Sequence, residues 1–202
     1  MTRPRIIQPS QSYTFNKYFE LPFSPEDILA ELGYIYNRER LQLPKIDSLE
    51  ISDLQRIIER NLKRVKLLSE DARKQAIIAP ILLEVCDITQ TQLNIEYSIN
   101  VSDQLKGNLD YYISKGKGLL VIEAKQADLS RGFTQLAVEL IALEQWINSE
   151  NPLLYGAVTT GEDWRFAIYN RQDKLITEDI KLYRVPEELS ELVKILVGIV
   201  SN

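Results

Sequence analysis

GNLDYYISKGKGLLVIEAKQ, residues 107–126, is two apolar runs joined by Lys115-Gly116-Lys117-Gly118. NLDYYIS (108–114) and LLVIEAK (119–125) are rich in β-branched and aromatic residues. A short glycine-containing connection between two such runs predicts a β-hairpin. With the loop symmetric about the Gly116–Lys117 bond, Asp110 falls opposite Glu123. Directly opposed residues share a face, with Cβ atoms about 5 Å apart. Glu123 and Lys125 are two apart on one strand and share a face as well, while Ile122 and Ala124 point the other way. The hairpin therefore gathers Asp110, Glu123 and Lys125 in one place. The preceding run Leu119-Leu120-Val121-Ile122 marks an interior strand.

Two neighbouring carboxylates repel and call for a cation. The chain has no histidine and one cysteine, Cys86. That excludes a histidine general base, a Ser-His-Asp triad, a disulfide framework and His-ligated zinc. Cys86 lies in the apolar run AIIAPILLEVC and reads as a buried thiol. Metal chemistry must then use oxygen ligands, which suits Mg²⁺ or Mn²⁺. Lys125 is placed to orient a water or steady a developing negative charge. These are the parts of metal-assisted phosphodiester hydrolysis. The competing reading of Glu-x-Lys is a solvated sheet face. The apolar run, the opposed Asp110 and the polar Gln135 in the following segment weigh against it. If the carboxylates converge, Asp110→Asn is expected to relieve repulsion in the metal-free protein.

Outward from the hairpin, QLNIEYSINV (92–101) predicts a preceding strand. Asp128 to about Asn148 predicts a long helix, with Leu129, Phe133, Leu136, Leu140 and Leu143 apolar. LLYGAVTT (153–160) and DWRFAIYN (163–170) predict two further strands across a Gly161-Glu162 turn, with a weaker strand signal near 174–184. Pro186 is expected to open a last helix running to about Val197. Before the hairpin, Ser69 predicts an N-cap, with Glu70 and Asp71 in the first helical turn. That helix runs to about Val85 and is kinked or split by Pro80.

Residues 1–23 read as irregular, punctuated by Pro4, Pro9 and Pro22. Ser24-Pro25-Glu26-Asp27 predicts the start of a short helix ended by Gly33. Residues 47–66 predict an amphipathic helix, with Leu54, Ile57, Ile58, Leu62 and Val65 at helical spacing. Its polar face carries Arg56, Arg60, Lys63, Arg64 and Lys66, read either as a solvated face or as a patch that approaches phosphates. The expected organisation is an N-terminal extension, 1–68, whose helices pack on a domain spanning 69–202. That domain is α/β, with a mixed sheet centred on the hairpin, helices on both faces, and an α-β-β-β-α-β core.

The 202 residues are 45% hydrophobic and 26% charged, an ordinary globular balance. No apolar stretch of about 18 residues predicts a membrane span. MTRPRIIQPS has no signal-peptide core, so a cytoplasmic location is expected. The net charge of −5 argues against tight autonomous DNA binding, though not against a local basic patch. No helix-turn-helix or zinc-finger pattern offers to read base edges.

The ordered set Gly107, Asp110, Tyr111, then Ile122-Glu123-Ala124-Lys125, then Gln135, resembles the PD-(D/E)xK nuclease superfamily, the restriction-endonuclease-like fold. Within it, the nuclease domain at the start of the motor subunit of type I restriction enzymes is the nearest in look. SEDARKQAIIAPIL (69–82) resembles that group's first helix, and YGAVTTGEDWRFAIYN (155–170) its paired strands with T-x-G-x-x-W-x-F. The likeness covers residues 69–170. It implies a DNA endonuclease of restriction or repair type, with Asp110, Glu123 and Glu70 as metal ligands. Lys125 would be the catalytic lysine and Gln135 a supporting residue. Asp71 and Glu84 are rivals to Glu70. Glu139 stands where relatives often carry an aromatic. No P-loop accompanies the domain, so a nuclease-like part alone is expected. DNA is the expected partner, a homodimer is plausible for this fold, and a catalytically inactive scaffold or binding module is the alternative.

Overall fold

The computed structural model describes residues 5–116, 118–147 and 151–201. Pro4, Lys117 and Asn148, which enter the expectations above, lie outside them. In chain order the helices are α1 (Phe15–Glu20), α2 (Pro25–Glu31), α3 (Ser52–Arg64), α4 (Glu70–Arg73), α5 (Ala79–Thr89), α6 (Leu129–Trp146) and α7 (Leu189–Ser201). The strands are β1 (Ile35–Glu39), β2 (Asn94–Ser102), β3 (Leu105–Lys115), β4 (Gly118–Ala124), β5 (Leu153–Thr159), β6 (Asp163–Asn170), β7 (Leu175–Asp179) and β8 (Tyr183–Arg184).

The strands form one mixed eight-stranded sheet in the order β1-β7-β6-β5-β4-β3-β2, with β8 paired to β6. β3 and β4 pair antiparallel with Tyr111 opposite Ile122, the register deduced from the loop symmetry. β4 and β5 run parallel, joined by α6 as the crossover. The hairpin was expected at the centre of the sheet. It lies to one side instead, because β6, β7 and β1 extend the sheet beyond β5.

Side chains alternate between two apolar layers. Ile113, Leu120, Ile122, Ala124 and Ala157 pack against α3, α5 and α7. Tyr112, Val121, Leu154 and Val158 pack against α1, α2 and α6. α6 is buried on every side from Gly132 to Leu143, as a crossover between sheet and covering helices requires. Among the described residues no helix is long and apolar enough to cross a membrane.

Both serine caps form. Ser24 Oγ accepts from Asp27 N (3.2 Å) and Ser69 Oγ from Ala72 N (3.1 Å). The helix containing Pro80 is split by a π turn, Lys74–Ile78, in which Ala79 N–H donates to Lys74 O. Proline has no N–H to give the Ala76 carbonyl four residues back. Asn61 Nδ2 on α3 donates to that carbonyl instead, at 2.8 Å.

Several elements differ from expectation. Residues 1–23 are not wholly irregular, since α1 forms there. Its six residues are too few to hold alone. Tertiary contacts hold it: Tyr18 Oη donates to Gln104 O (2.7 Å), and Phe15 packs on Gly107. β1, unforeseen, adds a parallel edge strand beside β7, so residues before 69 supply a strand as well as helices. The segment 174–184 divides into β7 and β8. The last helix begins at Leu189 rather than Pro186.

Candidate active-site cleft

Beyond Tyr111 and Ile122 the β3–β4 ladder opens. Ala124 N–H donates to the carboxylate of Asp110 (Oδ2, 2.9 Å) in place of a β3 carbonyl. The splayed ends form one wall of a cleft of about 370 Å³, lined by Glu70, Lys74, Glu96, Asp110, Glu123 and Lys125, with Phe15 and Asn16 of the α1 region opposite. A neighbouring hollow of about 500 Å³ shares Asn16, Glu70 and Lys125 with it and adds Phe19, Gln126 and Gln135. The hairpin thus brings Asp110, Glu123 and Lys125 to one cleft, α4 adds Glu70, and α6 adds Gln135. Asp71 is exposed and Glu84 half-buried, and neither lines the cleft. Glu70, Asp110 and Glu123 line the same space. Even so, among the described residues no three carboxylates draw together as a metal-ligating group by themselves.

Glu123 is buried and ion-paired with Lys125, and its Oε2 has no partner beyond the adjoining Glu139 carboxyl. The Lys125 ammonium also lies 5.1 Å from the Phe19 ring centroid, within cation–π range. Lys125 N–H donates to Thr159 O (2.7 Å), continuing the parallel pairing of β4 and β5. Gly132 lets α6 start this close. A Cβ there would sit 2.7 Å from Val158 Cγ2 and 2.9 Å from Lys125 Cγ.

Behind Glu123 lies Glu139, wholly buried and against the Glu123 carboxyl. Gln135 Nε2 donates to Glu139 Oε1 (2.9 Å) and to Asn16 Oδ1 (3.1 Å). Burial first, and then the charge of Asp110, raise the Glu123 carboxyl above the usual carboxylate range, against the pull of Lys125. Burial first, and then Glu123, raise Glu139 well above that range. Burial works to lower the Lys125 ammonium, but Glu123 outweighs it and the group stays charged.

On the other side of the cleft, Lys74 Nζ lies 2.7 Å from Asp110 Oδ1, 3.1 Å from Glu70 Oε1 and 3.9 Å from Glu96 Oε1. Burial opposes its charge as well, but Asp110 and Glu70 prevail and hold it above the usual lysine value. Glu96 adopts a left-handed backbone (φ +54°) within β2, an uncommon conformation for a non-glycine residue. The Thr-x-Gly-x-x-Trp stretch is structural. Gly161 N donates to Thr159 Oγ1 (2.8 Å), Trp164 Nε1 to Gly161 O (2.8 Å), and Arg73 clamps the turn through Thr160 O (3.0 Å) and Glu162 (2.7 Å).

No protein-family model matches this chain, and no curated protein or solved structure is significantly similar to it.

Sequence reasoning missed Lys74, Glu96, Asn16 and Phe19, and noted Glu139 only as a departure. One signal was available. Lys74 follows Glu70 by four residues, so helical spacing puts them on one face. Glu96 lies between Ile95 and Tyr97, which pair with Tyr111 and Leu109 and so set it opposite Asp110, but symmetric-loop arithmetic does not give this register, because an irregularity between Asn100 and Ser102 shifts the pairing by one residue. Asn16 and Phe19 carried no signal, because α1 is positioned by tertiary contacts alone.

Proposed function

We propose that this chain is a restriction-endonuclease-like protein that hydrolyses DNA phosphodiesters with a divalent metal, Mg²⁺ or Mn²⁺. The observation that carries the reading is the convergence of Asp110, Glu123 and Lys125 on one cleft, from a hairpin whose ladder opens where chemistry would occur. Asp110 and Glu123 would hold the ion. Two carboxylates with completing waters are an ordinary Mg²⁺ donor set, and the buried Glu123 carboxylate, crowded by Glu139, is an acceptor whose charge such an ion would offset. A bound ion supplies Lewis acidity toward a phosphoryl oxygen and lowers the pKa of a water.

The chain's own residues do the rest. Lys125, held charged beside Glu123, positions a water or balances charge on the phosphate. Gln135 ties Glu139 to Asn16 and so braces the rear of the site and its α1 wall together. Glu70 contributes at the rim, through Lys74.

A second reading, a nuclease-fold scaffold or binding module without catalysis, is favoured by the ion pair of Lys74 with Asp110 and by the net charge of −5. Incubation with duplex, single-stranded and branched DNA, with each metal, separates the two. Under the nuclease reading, metal-dependent cleavage is abolished by Lys125→Ala and by Asp110→Ala. Cleavage that survives the double variant, or no cleavage and no metal binding in the unaltered chain, overturns it.

A further inference from the structure

We propose that Lys74 is the resident cation of the carboxylate cluster, and that a divalent ion must displace its ammonium from Asp110 in order to bind. The inference rests on the reading that Asp110 and Glu123 hold such an ion.

The first ground is competition for one oxygen. Asp110 Oδ2 is engaged by the Ala124 N–H at 2.9 Å, and Oδ1 by Lys74 Nζ at 2.7 Å. Each oxygen keeps a second lone pair, so a metal at Asp110 competes with the lysine through charge, most directly at Oδ1. A divalent ion there would stand within a few ångströms of a full positive charge. The Lys74 side chain is only 17% exposed.

The second ground is that the lysine has somewhere to go. Glu70, one turn back, is 3.1 Å away, and Glu96 is 3.9 Å away with its side chain 55% exposed at the open edge of the cleft. An ammonium leaving Asp110 keeps one carboxylate and closes on another. Glu96 is offered there from a backbone at φ +54°, and such conformations persist only where the surroundings enforce them.

The third ground is the helix that bears Lys74. It is the first residue of the π turn, a widened register that recurs at functional sites in other proteins. Asn61 donates to the carbonyl of Ala76 within that turn, two residues beyond Lys74.

The test is Mn²⁺ binding to the full chain by calorimetry at fixed pH, for wild type, Lys74→Met and Lys74→Arg. Lys74→Met keeps most of the apolar stem and removes the charge. It is expected to bind Mn²⁺ on the order of tenfold more tightly than wild type, the size of an ordinary coupling between two sites. Lys74→Arg is expected to bind no more tightly than wild type. Equal affinity in wild type and Lys74→Met overturns the displacement while leaving the metal reading intact. Absence of binding in both overturns both. Wild type supplies an independent readout if the Met variant fails to fold. Acylation of Lys74 by an amine-reactive reagent, followed by mass spectrometry, is expected to speed up severalfold on adding Mg²⁺, and an unchanged or slower rate overturns the proposal.

Discussion

Glu139 and Glu123 place two carboxyls against each other in the buried rear of the cleft, with Lys125 paired to Glu123 and Gln135 donating to Glu139. Both are raised above their ordinary value of 4.5. In that situation the folded chain holds protons that the unfolded chain releases. The stabilisation is complete below 4.5 and is lost as pH rises toward the folded values, at up to about 1.4 kcal/mol per group for each pH unit crossed. Metal-free protein is therefore expected to melt lower at pH 8 than at pH 5, and Glu139→Gln to flatten that slope. Thermal melts in chelator measure both, and a flat wild-type profile counts against the buried carboxyl pair. Asp110 behaves otherwise. The sequence suggested that Asp110→Asn would relieve repulsion, but Asp110 is paired with Lys74 and accepts from Ala124 N–H. The variant is now expected to destabilise the metal-free chain by roughly 1–2 kcal/mol. That is less than the ~3–5 of a fully buried broken pair, because Glu70 still holds the lysine. It should also remove most of any rise in melting temperature caused by millimolar Mg²⁺, a rise that binding to the folded form alone would produce.

At the scale of elements, the split of the α4–α5 helix depends on a donor from a different helix. Asn61→Ala would leave the Ala76 carbonyl without its side-chain donor beside a proline that cannot supply one, at a cost of about 1–3 kcal/mol. The change should lower the melting temperature and, by loosening the π turn, disturb Lys74. A control at exposed Gln55, six residues earlier on α3, should do neither. What could be read in advance follows from where each element's information lies. Asp110 and Glu123 were legible because a short loop fixes register locally, and Ser24 and Ser69 because a cap acts within four residues. α1 and β1 were not. Phe15 is positioned by Gly107 and Tyr18 by the Gln104 carbonyl, far along the chain, and β1 has an exposed edge pattern that only its pairing with β7 turns into a strand. The π turn was half legible: Pro80 announced a break, but nothing near it in sequence named Asn61.

For the molecule as a whole, the net charge of −5 hides an uneven distribution. Arg60, Lys63, Arg64 and Lys66 are exposed at the end of α3 that leads to α4. The intervening loop is tied to the hollow beside the cleft by Gln126 Nε2, which donates to Leu68 O (2.8 Å). Under the nuclease reading this is where a phosphate backbone would lie. Replacing Lys63, Arg64 and Lys66 by alanine is expected to weaken DNA binding and to flatten its dependence on salt, by about 0.9 in log–log slope for each duplex phosphate the chain no longer neutralises. Mn²⁺ affinity should not change. An unaltered salt slope would leave the face as merely solvated. The burial of α6 on all sides has one more consequence. Gln135 and Glu139 ride on a segment whose backbone amides can reach solvent only when the whole sheet lets go, whereas Glu70 and Lys74 ride on a four-residue helix and a π turn near the surface. In native-state hydrogen exchange, residues 133–143 should exchange at the rate of global unfolding and residues 70–76 through a much cheaper local opening. The cleft would then have one wall that is permanent on the timescale of a binding event and one that breathes, with Lys74 on the breathing side.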